Sequence, residues 1–160
     1  MDNLKQKAKI VYECLKTKNK ILATAESCTG GMIGEMITSV PGSSEVYEYG
    51  FITYSNTAKQ KLLGVSAETL SIFGAVSAET VCEMADGALK ASDADIAVSV
   101  SGIAGPGGGS EQKPVGLVYV GIAQKGEKTE FFKLMLSGDR DSVRQKTVDK
   151  VFDLIIEIYS

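Results

Sequence analysis

Short apolar runs that end in glycine- or hydroxyl-rich turns and lead straight into amphipathic helices recur along the first two thirds of the chain. Ile21 to Ala25 reads as a buried strand, ESCTGG as a tight turn, and Met32, Ile33, Met36, Ile37 and Val40 as a helical stripe stopped by Pro41-Gly42. Gly50 to Tyr54 reads as a second strand, with Asn56 capping a helix over Thr57 to Leu63 that Gly64 closes. Helices follow at Ala67 to Phe73 and, capped by Ser77, at Ala78 to Lys90. Ile96 to Ser101 is a β-rich run leading into GIAGPGGG, and Gly116 to Gln124 with Thr129 to Leu136 reads as a hairpin turned at Lys125-Gly126. A first helix, capped by Asp2 or Asn3 and ending near Lys18, carries Ala8, Val11, Tyr12 and Leu15 on one face. A last one starts near Asp139 and carries Val143, Thr147, Val151, Leu154, Ile155 and Ile158 toward the core. Alternating strands and helices predict an α/β protein: a three-layer α/β/α sandwich with a mixed, largely parallel sheet, one domain over residues 1–160.

Composition narrows the function classes. With 160 residues the chain buries a core without disulfides or metals. No apolar run approaches the roughly 20 residues of a membrane span, so no membrane partner is expected. The first residues, MDNLKQKAKIVYECL, lack a secretion signal, and the three cysteines are odd in number and widely spaced; both suit the cytoplasm. A net charge of −3 argues against nucleic acid as a partner, which requires a basic face. For a small cytoplasmic protein of this kind a homodimer is the default. The chain contains no histidine, which removes a Ser-His-Asp triad, a Cys-His pair and every zinc site built on imidazole. A hydrolase of this composition must take its base from Lys, Tyr, Asp or Glu.

Ligands of open α/β sheets bind beyond the carboxyl ends of the strands. Three such exits are rich in chemistry here: Glu26 to Gly31, Tyr54 to Lys59 and Ser101 to Gly109. The glycine loop lacks the lysine and the spacing of a P-loop, so a Walker-type nucleotidase is excluded; Ser101 at its start and Pro106 in its middle leave N–H groups open to a ligand. Lys59, near the third residue of its helix, meets the positive end of the helix dipole, which lowers its pKa as a lysine base requires. The ordinary use of such a residue is a solvated surface lysine. Arg140 and Arg144 share one helical face in the first turns, placed either for an anionic ligand or for ion pairs with Asp139 and Asp141. Cys28 competes with Ser27 as nucleophile, although a buried cysteine more often serves as a small hydrophobe. The Glu26 carboxylate either caps the turn or orients Lys59.

AESCTGG, VPGSS, GFITYSNTAKQKLLGV, GAVSAE, SGIAGPGGG with KPVG, and GDRDSVR, in this order from Ile21 to Arg144, resemble the CinA C-terminal domain family in its short stand-alone form. The resemblance implies hydrolysis of the carboxamide of nicotinamide mononucleotide (NMN) to nicotinic acid mononucleotide and ammonia, within pyridine nucleotide recycling, with no metal and no cofactor. It implies Ser27 as nucleophile, Lys59 as base and Tyr54 as a hydrogen-bonding helper. Ser101 stands where many relatives have threonine, and Gly102, Gly105 and Arg140 or Arg144 are the implied nucleotide contacts. N–H groups of the Cys28 to Gly31 turn, including those of Thr29, Gly30 and Gly31, are the natural oxyanion donors. Two other readings stand beside this one: a non-catalytic nucleotide-binding regulatory module, and a different amidase built on Cys28.

Overall fold

The structure, a computed structural model, describes residues 1–160. The elements run α1 (Asp2–Thr17), β1 (Leu22–Glu26), α2 (Met32–Thr38), β2 (Tyr47–Ile52), α3 (Asn56–Leu63), α4 (Ala67–Phe73), α5 (Ala78–Ser92), β3 (Ile96–Gly102), β4 (Leu117–Gln124), β5 (Glu130–Met135) and α6 (Arg140–Tyr159). The strands form one sheet in the order β2-β1-β3-β4-β5. β1 is parallel to both β2 and β3, whereas β3–β4 and β4–β5 are antiparallel.

Period-two alternation along the strands sorts side chains between two helical layers. Leu22 of β1, Ile96, Val98 and Val100 of β3 and Val120 and Ile122 of β4 pack against α1, α2 and α6. Ala23, Ala25 and Ala97 face α3, α4 and α5. The small residues on this second face let α5 approach closely. The Ser99 hydroxyl donates to the Val81 carbonyl at 2.5 Å, and a side chain at Gly121 would collide with that same carbonyl. No helix is long and apolar enough to cross a membrane.

Four local expectations shift, each for a physical reason. β2 spans Tyr47 to Ile52 rather than Gly50 to Tyr54: it is an edge strand, largely solvent-facing, and carries no burial alternation to mark its start. Ser55, not Asn56, caps α3, its hydroxyl accepting from Ala58 N–H at 3.0 Å, so Lys59 lies one residue deeper in the helix than expected. α1 begins at Asp2 itself with no side-chain cap. In α6 the buried stripe runs through Val148 and Phe152, leaving Leu154 and Ile158 half-buried. Because β1, β2 and β3 are parallel, the three loops that leave their carboxyl ends emerge at one edge of the sheet, as the sequence predicts.

Candidate active site

The turn after β1 is held from two sides. Glu26 ends the strand on the face of α2 and is 2% exposed. Its Oε1 accepts from Thr29 Oγ1 at 2.5 Å, Gly31 N–H at 3.2 Å and Ile33 N–H at 2.9 Å, and its Oε2 from Gly34 N–H at 3.1 Å. These are the groups that a helix start leaves without partners, so Glu26 caps α2. Arg144 reaches over from α6 and donates from Nε to the Cys28 carbonyl at 3.1 Å and from Nη2 to the Thr29 carbonyl at 3.0 Å. Gly30 and Gly31, with φ of +57° and +108°, supply the left-handed backbone that the sharp turn needs. Gly30 N–H donates to the Ser27 carbonyl, while the N–H groups of Cys28 and Thr29 donate to no other residue.

Ser27, one residue beyond Glu26, faces the opposite helical layer, where α3 brings Lys59. The lysine is 1% exposed. Its Nζ stands 3.0 Å from Ser27 Oγ and donates to the Thr53 carbonyl at 2.8 Å. No carboxylate pairs with it. Burial therefore pushes the Lys59 pKa down from its ordinary value. That cause replaces the helix dipole invoked from the sequence. A neutral amine in this place keeps an N–H on Thr53 and turns its lone pair to the Ser27 hydroxyl. The neighbouring Cys28 is also buried, and burial pushes its thiol up to about 11, which leaves almost no thiolate at neutral pH.

Ser27 and Lys59 form the floor of a cavity of about 270 Å³, walled by Tyr54, Ser101, the glycine loop and Arg140. No aspartate or glutamate lines it. The N–H groups of Ala104, Gly105, Gly107 and Gly108, all lining the cavity, donate to nothing in the chain and form a rim of free donors. Arg140 spans the mouth, donating to the Gly105 carbonyl at 2.8 Å and to the Tyr54 hydroxyl at 3.0 Å. Like Lys59 it has no carboxylate partner, so the positive charge at the mouth is available to an anion. Nowhere in the chain do three His, Cys, Asp or Glu side chains cluster as metal ligands.

Of the residues singled out in the sequence, Ser27, Tyr54, Lys59, Ser101, Gly102, Gly105 and Arg140 line this one cavity. Thr29, Gly30, Gly31 and Arg144 do not. The side chain of Thr29 and the N–H groups of Gly30 and Gly31 are committed within the turn, and Arg144 braces it. The unengaged N–H groups of the turn are therefore those of Cys28 and Thr29, and Arg140 alone of the two arginines lines the cavity. Tyr54 is 62% exposed and bonds to Arg140, not to Ser27 or Lys59. Asn56, read from the sequence only as a cap, lines the cavity, as do Ala75 and Val76 of the GAVSAE block between α4 and α5.

Known proteins match most of the chain. The chain is 54% identical over 148 residues to a CinA-like protein of Endomicrobium trichonymphae, an alignment covering 92% of this chain and 34% of that protein. The chain thus spans about a third of the length of that relative and of several others named competence-damage inducible proteins. It is 51% identical over 143 residues to the nicotinamide-nucleotide amidohydrolase PncC of Shigella flexneri, covering 89% of this chain and 87% of that protein. The crystal structure of the competence/damage inducible protein CihA from Agrobacterium tumefaciens superposes with a TM-score of 0.95 at 40% identity, covering 98% of this chain and 96% of that one. The family model described as the CinA C-terminal domain matches residues 4–159. With the match running through every element that builds the cavity, the chain belongs to the CinA C-terminal domain family.

Proposed function

We propose that the chain is a nicotinamide-nucleotide amidase that hydrolyses the carboxamide of nicotinamide mononucleotide to nicotinic acid mononucleotide and ammonia. The observation that carries this reading is the contact of a buried lysine, unpaired with any carboxylate, with the hydroxyl of Ser27 at 3.0 Å. The likeness to the Shigella amidohydrolase over most of both chains supports the substrate class. The rim of free N–H groups beside Arg140 suits the phosphate, which leaves the carboxamide for the floor. Formation of nicotinic acid mononucleotide places the reaction in pyridine nucleotide recycling.

In the proposed reaction neutral Lys59 takes the Ser27 proton as Oγ attacks the carboxamide carbon, a form of base catalysis that contributes about 10²–10⁴-fold. The carbonyl oxygen becomes an oxyanion held by the N–H groups of Cys28 and Thr29, for which a single donor is worth about 10²–10³ in rate. The C–N bond breaks as the Lys59 ammonium returns its proton to the departing nitrogen, releasing ammonia and leaving an ester on Ser27. Water, deprotonated by the same lysine, then cleaves that ester and regenerates the hydroxyl.

Ammonia release from nicotinamide mononucleotide by the wild type, Ser27→Ala, Cys28→Ala and Lys59→Ala tests the reading. Activity is expected in the wild type and Cys28→Ala and is lost in the other two. Activity that survives Ser27→Ala contradicts the mechanism, and an inactive wild type contradicts the reaction. Because the base must be neutral, kcat/KM falls on acidification through a pKa below that of free lysine; a flat profile at mildly acidic pH counts against Lys59.

A further inference from the structure

Ser101 presents an unpartnered hydroxyl to the cavity. It is 1% exposed and lines the cavity. Ser27 is engaged by Lys59 and Thr29 by Glu26, yet the Ser101 hydroxyl has no hydrogen-bond partner in the chain. Unlike the fully enclosed Thr53 hydroxyl, that of Ser101 is open to the cavity, so a ligand that fills the cavity shields it from solvent and is the natural source of its bond.

Its place in the sheet indicates which part of the ligand it meets. β3 lies beside β1 with Glu26 opposite Val100, and Ser27 N–H donates to the Val100 carbonyl. Ser27 and Ser101 are therefore neighbours on the same face of adjacent strands. Lys59 approaches Ser27 through Thr53, from the β2 side; Ser101 flanks Ser27 from the β3 side. The free Cys28 and Thr29 N–H groups claim the carbonyl oxygen of a bound carboxamide. That leaves its NH₂ group for the space between Lys59 and Ser101. The two other neutral polar side chains of the cavity that could accept an N–H, Tyr54 and Asn56, are exposed near its mouth.

We propose that Ser101 Oγ accepts one N–H of the scissile carboxamide and so orients the leaving nitrogen. This rests on the amidase reading above. In the tetrahedral intermediate the nitrogen carries two hydrogens and a lone pair. Holding one hydrogen on Ser101 turns the lone pair toward the Lys59 ammonium. The C–N bond then breaks as that proton moves from Lys59 to nitrogen, and Ser101 neither gains nor loses a proton. An ester leaving group has no N–H to hold and presents lone pairs in more than one direction, so its departure does not need Ser101.

The test compares cleavage of nicotinamide mononucleotide with that of the methyl ester of nicotinic acid mononucleotide by the wild type, Ser101→Ala and Ser101→Thr. Because Ser101 has no bond within the protein to lose, Ser101→Ala is expected to fold and melt as the wild type does. Its kcat/KM for the amide falls about ten- to hundred-fold, the worth of one well-placed hydrogen bond, while that for the ester changes less than about three-fold. Ser101→Thr restores the amide rate to within a few-fold. Parallel loss on amide and ester, or no loss on either, overturns the role of Ser101 while leaving the amidase reading intact. A wild type that cleaves neither compound overturns both.

Discussion

Replacing Glu26 by Gln changes one atom of the side chain and disturbs four hydrogen bonds. If the amide oxygen takes the place of Oε1, the bonds from Thr29, Gly31 and Ile33 persist without the carboxylate's charge. A charge-assisted bond exceeds a neutral one by about 1 kcal/mol, so these three lose about 3 kcal/mol together. The new NH₂ group then faces Gly34 N–H, donor against donor, and leaves it unsatisfied at about 1–3 kcal/mol. Bonds sharing one acceptor are not additive, which brings the expected loss to about 3 kcal/mol. For a chain of this size that lowers Tm by about 6–12 °C. Thr29→Val, which removes a single donor, should cost about 1 kcal/mol. Thermal and urea unfolding measure both variants. Steady-state kinetics should show kcat falling more than KM changes, because the turn that Glu26 fixes carries Ser27 and the free N–H groups. A Glu26→Gln protein within 1 kcal/mol of the wild type and with full kcat would refute the idea that this carboxylate holds the nucleophile's turn.

Lys59→Met should abolish ammonia release yet stabilise the fold at neutral pH, since it removes an amino group that folding desolvates with no carboxylate to pair it. Between its depressed native pKa and the ordinary 10.5, the unfolded chain holds a proton on Lys59 that the folded one has released. Stability of the wild type therefore rises with pH through that window, and urea midpoints measured up to pH 10 should show the slope disappearing in Lys59→Met. Cys28→Ala should keep its turnover within a few-fold and lose about 1 kcal/mol to the small cavity it leaves. The two arginines should separate in a kinetic comparison: Arg140→Met raises KM for the nucleotide about ten-fold or more, as for one lost charged contact, whereas Arg144→Met lowers kcat by freeing the Cys28 and Thr29 carbonyls. Equal effects of the two substitutions on KM would contradict their assignment to mouth and turn.

The architecture is legible in the sequence wherever burial leaves a periodic mark. β1, α2 and α5 announce themselves by apolar spacing, and the absence of histidine directs attention to a lysine base. The start of β2 is misplaced by three residues because this edge strand is largely solvent-facing and has no burial period to read. The role of Glu26 stays open in the sequence because a carboxylate before a helix can reach either the helix or a neighbouring side chain. Strand alternation decides it, sending Glu26 toward α2 and Ser27 toward Lys59. Arg140 and Arg144 are indistinguishable at four-residue spacing, since both lie on one helical face. Which of them meets the turn and which the mouth depends on how α6 packs against the turn after β1. Burial of Lys59 is likewise a property of the assembled layers; its own helix, NTAKQKLL, reads as a surface segment.

The proposed covalent intermediate gives the most direct access to the Ser27–Lys59 pair. Acid quenching during turnover of nicotinamide mononucleotide, followed by mass spectrometry of the digested protein, should find the substrate's acyl group, less ammonia, on the peptide containing Ser27. Tandem fragmentation should place it on the Ser27 oxygen, and both Ser27→Ala and Lys59→Met should yield unmodified peptide. An acyl group on the Cys28 sulfur, or sustained turnover by Ser27→Ala, would contradict the serine–lysine chemistry.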